Sequence, residues 1–169
     1  MTAGSALAED GDLFRRNISK TPDNETETAA IFMMDFYVPA QASTGELVTI
    51  DNYLLADEAT AAYEPREFAK PLISVWIDDL HPIEETKGGI TFGHFDAFVG
   101  VSLDDGTTWK TTNLSRSSDL SSFNLKTGYA YPGDVHNVVH QVFGDNIFVA
   151  WVSKYCEGGS PLYSLDPAV

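Results

Sequence analysis

The amino-acid sequence predicts an all-β fold built from antiparallel sheets. Short apolar runs, bounded by glycine, proline and polar residues, recur along the chain in the pattern of β-strands. The best helical candidate, residues 56–62, is brief, and Pro65 and Pro71 follow it closely. Residues 102–109 read Ser-Leu-Asp-Asp-Gly-Thr-Thr-Trp and form a turn signal between two strand-like runs. Together these observations favour strands joined by tight turns.

The predicted elements follow one another with little helix between them. Residues 1–28 are polar and are interpreted as an arm or linker, whereas residues 29–169 form the β domain. Apolar and β-branched composition predicts strands at 31–38, 46–50, 71–77, 95–101 and 110–114. Two further runs, 138–143 and 146–152, flank Gly144 and Asp145 and predict a hairpin.

The turn at residues 102–109 fits the pattern Ser-x-Asp-x-Gly-x-Thr-Trp at every defined position. Ser102, Asp104 and Thr108 can bond to the local backbone, and Gly106 can adopt a positive φ. Trp109 supplies a large apolar face for packing between sheets. The pattern is that of the Asp-box and resembles the turn between the third and fourth strands of a blade in sialidase-like β-propellers. This resemblance implies a structural role; the alternative is an ordinary Asp-Asp-Gly hairpin.

The number of predicted strands corresponds to about one and a half propeller blades. Residues 31–114 supply about one four-stranded blade, and the final hairpin supplies half of the next. Because propellers take roughly 4–8 blades of about 40–50 residues each, the chain is expected to form an incomplete propeller. Three interpretations remain open: a fragment of a longer protein, a subunit whose sheet is completed by a further chain or an oligomer, or a compact β-sandwich.

Composition and charge narrow the classes of function. The 169 residues are 43% hydrophobic and 12% aromatic, enough for a core. Acidic residues number 25 and basic residues 10, and the resulting net charge of −15 disfavours nucleic acid and anionic lipid as partners. No stretch approaches the roughly 18–20 apolar residues of a membrane span. An Ala-x-Ala pattern at residues 6–8 favours export, although no apolar segment precedes it.

Two segments of the C-terminal half carry a resemblance to a known family. Tyr-Pro-Gly-Asp at residues 131–134 leads to Ile-Phe-Val-Ala-Trp-Val-Ser-Lys-Tyr-Cys-Glu-Gly-Gly at 147–159. In these segments the chain resembles the choice-of-anchor O family of exported bacterial proteins, over about residues 72–165. The resemblance implies the N-terminal portion of a longer protein, an extracytoplasmic location, a propeller-like body and no established enzymatic activity.

A more distant resemblance concerns the copper-repressible surface proteins of methane-oxidising bacteria. Their copper(I) site uses two histidines and a tryptophan oxidised to kynurenine, with Trp and His two residues apart. Here the three tryptophans at positions 76, 109 and 151 are followed two residues later by Asp78, Thr111 and Ser153. The chain therefore departs from the pattern of a kynurenine-type copper site.

Histidines are the main candidates for a soft-metal site. Imidazole suits copper, zinc or nickel. Copper is the leading ion because neither a thiolate cluster nor a His-x-x-x-His helix is evident, and because Met33 and Met34 offer softer donors. His81 and His94 bracket the loop between two strands expected to pair. His136 and His140 are four residues apart, which is about 13 Å on a strand. The predicted metal ligands, against the alternative of ordinary core or surface histidines, are His81, His94, His136 and His140.

Carboxylates offer a second cation hypothesis. Calcium prefers 6–8 oxygen ligands, and the candidates are the pairs at 78–79 and 104–105 together with Asp134. The EF-hand spacing does not occur, and such pairs also form turns at strand ends. Cys156 is the single cysteine, so a disulfide needs a partner from another chain or from further sequence.

Catalytic signals are sparse, which favours a protein that is not an enzyme. A sialidase needs three arginines that clamp a carboxylate, a tyrosine nucleophile activated by a glutamate, and an aspartate acid. The arginines of this chain are residues 15, 16, 66 and 116, and none of them ends a predicted strand. The sequence therefore predicts a non-catalytic, exported, surface-associated binding or assembly protein. The alternatives are an extracytoplasmic copper-binding protein that uses histidines and a fragment of a sialidase-like glycoside hydrolase.

Overall fold

The computed structural model describes residues 18–21, 24–50, 65–80, 85–87, 90–122, 124, 130 and 133–155. Throughout these ranges the regular structure is β-strand, with no helix, and every paired strand runs antiparallel to its neighbour. The predicted all-β, antiparallel class is confirmed. The helical candidate at residues 56–62 lies outside the described residues.

Ten strands occur in the described ranges. They are β1 (Thr26–Met33), β2 (Val38–Pro39), β3 (Phe68–Ala69), β4 (Leu72–Asp79), β5 (Glu85–Lys87), β6 (Ile90–Phe92), β7 (Phe95–Ser102), β8 (Lys110–Asn113), β9 (Val135–Phe143) and β10 (Asn146–Ser153). The strands predicted at 71–77, 95–101 and 110–114 correspond to β4, β7 and β8, and the predicted hairpin corresponds to β9 and β10. Residues 46–50 make isolated bridges, Gln41 with Leu47 and Ile50 with Arg66, in place of the predicted strand.

The main sheet has four strands in the order β1-β4-β7-β8. Neighbours in space follow the order of the chain, and two short pairs, β2 with β3 and β5 with β6, lie between them in sequence. Strand β4 is buried from Ile73 to Asp79 because it has a neighbour on each side and cover on both faces. The predicted turn at 102–109 joins β7 to β8, the last two strands of this sheet.

The hairpin β9–β10 packs on one face of the main sheet. Side chains alternate between the two faces of a strand, so one set of β4 residues points toward the hairpin. Ile73, Val75 and Ile77 of β4 form one buried cluster with Val135 and Val138 of β9. This cluster is the main hydrophobic core of the described residues, and it fixes the hairpin against the sheet.

The opposite face of the sheet carries tryptophan. Trp76 is buried and stacks on Phe98 of β7, with ring centroids 5.7 Å apart. Gly100 permits this packing, since a Cβ there would lie 3.1 Å from Trp76, 3.2 Å from Ile18 and 3.3 Å from Trp109. Trp109 therefore contributes to the packing of this face, close to the turn that contains it.

The first strand differs from its predicted bounds of 31–38. Strand β1 begins at Thr26, whose hydroxyl donates to the buried carboxylate of Asp78 at 3.1 Å, and it ends at Met33. Met34 then enters the core, and its N–H donates to Pro71 O at 2.9 Å. The chain leaves the sheet after Met33. The apolar residues that follow Met33 in the predicted strand therefore do not extend β1, and Met34 packs into the core instead.

Candidate functional site

The turn between β7 and β8 is held together by its own polar groups. Asp104 is buried, and its Oδ1 accepts hydrogen bonds from Ser102 Oγ at 2.7 Å and from Thr108 N at 2.8 Å. Asp104 Oδ2 accepts from Thr108 Oγ1 at 2.6 Å, and Ser102 Oγ accepts from Gly106 N at 2.9 Å. These bonds compensate for removing the carboxylate from water, so the described geometry serves the fold.

The backbone of this turn requires unusual torsion angles. Asp105 and Gly106 have φ values of 54° and 82°, and Thr107 N donates to Asp104 O at 3.1 Å. Positive φ at both central residues is the arrangement of a type I′ turn, whose twist suits a hairpin. Trp109 Nε1 donates to Gly106 O at 3.0 Å, which ties the buried indole to the turn.

The structure gives the predicted metal-binding histidines separate partners. His94 Nδ1 lies 3.3 Å from Ser118 O, and the His140 ring stacks on Phe32 at 4.4 Å with an interplanar angle of 4°. His81 lies outside the described residues. Within the described ranges, no three His, Cys, Asp or Glu side chains form a group that could hold a metal ion.

His136 belongs to a cluster around Asp134 at the base of the hairpin. The Asp134 side chain is 3% exposed, and its Oδ2 lies 2.8 Å from both His136 Nε2 and Lys154 Nζ. Its Oδ1 accepts from Phe95 N of β7 at 3.3 Å. A metal ion that bound this carboxylate would have to displace the Lys154 ammonium. The charge of Asp134 is therefore balanced by the protein itself.

The other predicted cation ligand pairs also face hydrogen-bond donors. Asp78 Oδ2 accepts from Thr21 Oγ1 at 2.5 Å, and its Oδ1 accepts from Thr26 Oγ1. Burial raises the pKa of Asp78 above its ordinary value; these two hydroxyls oppose the shift, and the charge of neighbouring Asp79 adds to it. Asp105, in the second pair, forms an exposed ion pair with Arg66.

A buried aspartate that the sequence analysis did not single out anchors the segment after β8. Asp96 is 1% exposed, and five donors surround it. Ser117 N and Ser118 N donate at 2.8 and 3.1 Å, Asn113 Nδ2 donates at 2.8 Å, and the hydroxyls of Ser115 and Ser118 complete the set. The serine-rich composition of residues 115–122 is the one sequence signal, and composition alone does not identify the acceptor.

A small cavity lies beside the turn at 102–109. Its volume is about 160 Å³, below the roughly 300–1,000 Å³ of small-molecule sites. Two residues of its wall already bond to each other, since Ser43 N donates to Thr108 Oγ1 at 2.7 Å. Lys110 supplies the one charged side chain among the described lining residues.

The outer face of the hairpin carries four of the large apolar side chains that are exposed in the described residues. Val139 and Phe143 of β9 are 60% and 77% exposed, and Phe148 and Val152 of β10 are 63% and 59% exposed. Every second residue of β10, from Asn146 to Val152, faces outward. The outward positions of both strands carry no charged side chain. We call this surface the outer hairpin face.

Comparison of the chain with protein-family models, with curated proteins and with solved structures finds no match. In the part of the chain that the structure describes, no helix has the length and apolarity to cross a membrane.

Proposed function

We propose that this protein is a non-catalytic, exported binding or assembly protein whose outer hairpin face packs against further β structure. The observation that carries this proposal is the exposure of four large apolar side chains on one side of a two-stranded sheet. An isolated two-stranded hairpin is marginally stable, and contiguous apolar patches on soluble proteins commonly mark interaction sites.

The distribution of charge supports an interface at this face. The whole chain has a net charge of −15, yet the outward positions of β9 and β10 are uncharged. Depletion of charge around aromatic side chains is typical of the centre of a protein–protein interface. Phe143 and Phe148 supply the aromatic side chains here.

The sheet topology supports the packing of this face against another sheet. A four-stranded antiparallel sheet, with a tight turn between its last two strands, is followed by a hairpin stacked on its face. This order of strands is the one expected for one propeller blade followed by the first half of the next blade. In that arrangement the outer hairpin face packs against another sheet. A β-sandwich places a second sheet on the same face.

The polar groups of the described residues support a non-catalytic role. The buried carboxylates of Asp96, Asp104 and Asp134 each accept several hydrogen bonds from neighbouring residues and secure a turn, a loop or the hairpin. Export is supported by the Ala-x-Ala pattern near the N-terminus and by the resemblance to exported surface proteins.

Light scattering and dye binding test the interface. In the full chain, the variant carrying Phe143→Ser and Phe148→Ser removes both aromatic side chains from the outer hairpin face. The control is Phe68→Ser on β3, since Phe68 is 53% exposed and lies outside the hairpin. We expect the unaltered chain and the control to self-associate or bind an apolar fluorescent dye, and the double variant to lose most of this signal.

Circular dichroism of the double variant serves as the control for folding, and we expect its β signal to match that of the unaltered chain. If the unaltered chain is a monodisperse monomer that unfolds cooperatively, and its dye binding equals that of the double variant, the outer hairpin face is not an interface. That result favours a self-sufficient sandwich and contradicts the proposal.

A further inference from the structure

We infer that the free edge of β10 accepts an extended segment of a partner protein as a third strand of the hairpin sheet. The inference rests on the proposed function as a binding protein and adds the mode of contact. The hairpin sheet consists of β9 and β10 alone, so β10 has a backbone partner on one side within the described structure. Its other side presents N–H and C=O groups that can pair with an added strand.

The sequence of β10 lacks the features that normally protect an edge. Its eight residues are Asn-Ile-Phe-Val-Ala-Trp-Val-Ser, with no charged residue, proline or glycine. Natural edge strands are usually short or carry charges, prolines or bulges, because a long, flat, apolar edge invites pairing with other chains. Strand β10 is thus composed like a strand in the interior of a sheet, but it lies at an edge.

The other edges of the main sheet and of the hairpin do carry such protection. Strand β1 contains Glu27, and its pairing with β4 shifts register between Glu27 and Ala30. Strand β8 has four residues, of which Lys110 is charged and exposed. In the hairpin, the register shift places the extra residue on β9, where Asn137 has a φ of 53°. The bulge interrupts the edge of β9 and leaves β10 continuous.

The two faces of β10 specify the chemistry of the incoming segment. Ile147, Val149 and Trp151 alternate with the outward residues and pack against the main core. A strand added beside β10 extends both faces of the hairpin sheet. Its inward side chains lie next to the core and its outward side chains lie next to Phe148, so both sets should be apolar or β-branched. A charge in its middle would lie against uncharged neighbours on either face.

The net charge of the chain indicates what flanks this segment. At −15, the protein attracts basic residues, and repulsion between two copies makes self-pairing through β10 less favourable than pairing with a basic partner. The partner segment is therefore an uncharged, apolar β-strand with lysine or arginine near its ends. A second copy pairing through its own β10 is the competing occupant, and the test separates the two.

A model strand provides the probe. The peptide has acetylated and amidated ends and the sequence Lys-Lys-(Val-Thr)4-Lys-Lys. Its control has the same sequence with an N-methyl group on every Val and Thr residue, which removes the backbone donors of both edges and keeps the charge. Binding to the full chain is measured by titration, and backbone amide hydrogen exchange of β10 is followed residue by residue.

We expect the unmethylated peptide to slow exchange at alternate amides of β10, because neighbouring residues of a strand direct their N–H groups to opposite sides. The N-methylated peptide should bind at least about tenfold more weakly, since several backbone hydrogen bonds are lost together. Ala150→Lys should weaken binding of the unmethylated peptide by a similar factor, and Thr111→Lys on β8 should leave it unchanged.

Three results overturn the inference. Equal binding of the two peptides shows contact through the outer hairpin face without strand addition, and it leaves the proposed function intact. Protection, before peptide is added, of the β10 amides that face away from β9 means that the edge is already paired, by a second copy if the chain is dimeric and within the chain if it is monomeric. Absence of binding by the unmethylated peptide excludes strand addition, whatever light scattering shows for the outer hairpin face.

Discussion

Lys154 Nζ donates to Asp134 Oδ2 at 2.8 Å, and Lys154 N donates to Asp134 O at 3.2 Å, so the residue after β10 is bound twice to the residue before β9. The same aspartate accepts from Phe95 N in the main sheet. One buried carboxylate thus closes the base of the hairpin and connects it to β7. The position of the outer hairpin face and of the β10 edge depends on this junction.

Asp134→Ala should lower the free energy of unfolding by about 1–3 kcal/mol, because Phe95 N loses its acceptor and Lys154 loses its counter-charge. Urea denaturation of the full chain measures this change. The matched control is Asp145→Ala in the hairpin turn, where the side chain accepts one exposed hydrogen bond from Asn146. Equal stability of the two variants would show that the junction does not hold the hairpin.

Asp104→Ala should also destabilise the chain by about 1–3 kcal/mol, since Thr108 N loses its acceptor inside the turn. Asp105→Asn is the control, because asparagine tolerates the positive φ of residue 105 and removes an exposed ion pair with Arg66. Thermal and urea unfolding report both effects. If Asp104→Ala unfolds like the unaltered chain but loses a binding activity, the turn has a functional role and the structural interpretation fails.

Local sequence signals predicted the elements whose structure is decided locally. The apolar run that became β4 is long enough to specify a buried strand, and Gly144, with a φ of 60°, occurs where the predicted hairpin turns. The bonds around Asp104 span at most four residues, so a short pattern contains all the partners. Prediction succeeds here because the interacting groups are neighbours in the chain.

The contacts that fix the hairpin and the loops were beyond the reach of sequence patterns. Lys154 and Asp134 are 20 residues apart, and the donors to Asp96 include side chains 17 to 22 residues away. The pairing depends on how the hairpin stacks on the sheet, which no local spacing encodes. Asp134 is among the calcium ligands that the sequence predicts, and the fold supplies Lys154 as its cation.

Copper content provides a test of the histidine hypothesis. His140 stacks on Phe32, and His136 shares Asp134 with Lys154, so these rings are engaged separately. We expect full chain purified without chelator to contain well below one equivalent of copper by elemental analysis. His136→Asn and His140→Asn should not change that content. If the unaltered chain carries one equivalent of copper and each variant loses it, the two histidines share a copper site, and this expectation is wrong.

The pKa of Asp78 predicts how stability depends on pH. Because burial raises this pKa above 3.8 in the folded chain, ionising Asp78 costs stability. This loss of stability is absent at pH values below the pKa of Asp78 in the unfolded chain. It grows as the pH rises from there through the pKa of Asp78 in the folded chain, and it is constant above that. The free energy of unfolding of Asp78→Asn should therefore increase relative to the unaltered chain between about pH 3 and pH 7. The substitution also changes the hydrogen bonds to Thr21 and Thr26, and this adds a pH-independent constant to the difference in the free energy of unfolding between the two proteins. Urea titrations measure the difference, with Asp145→Asn as the exposed control; a difference that stays flat or falls with pH contradicts the prediction.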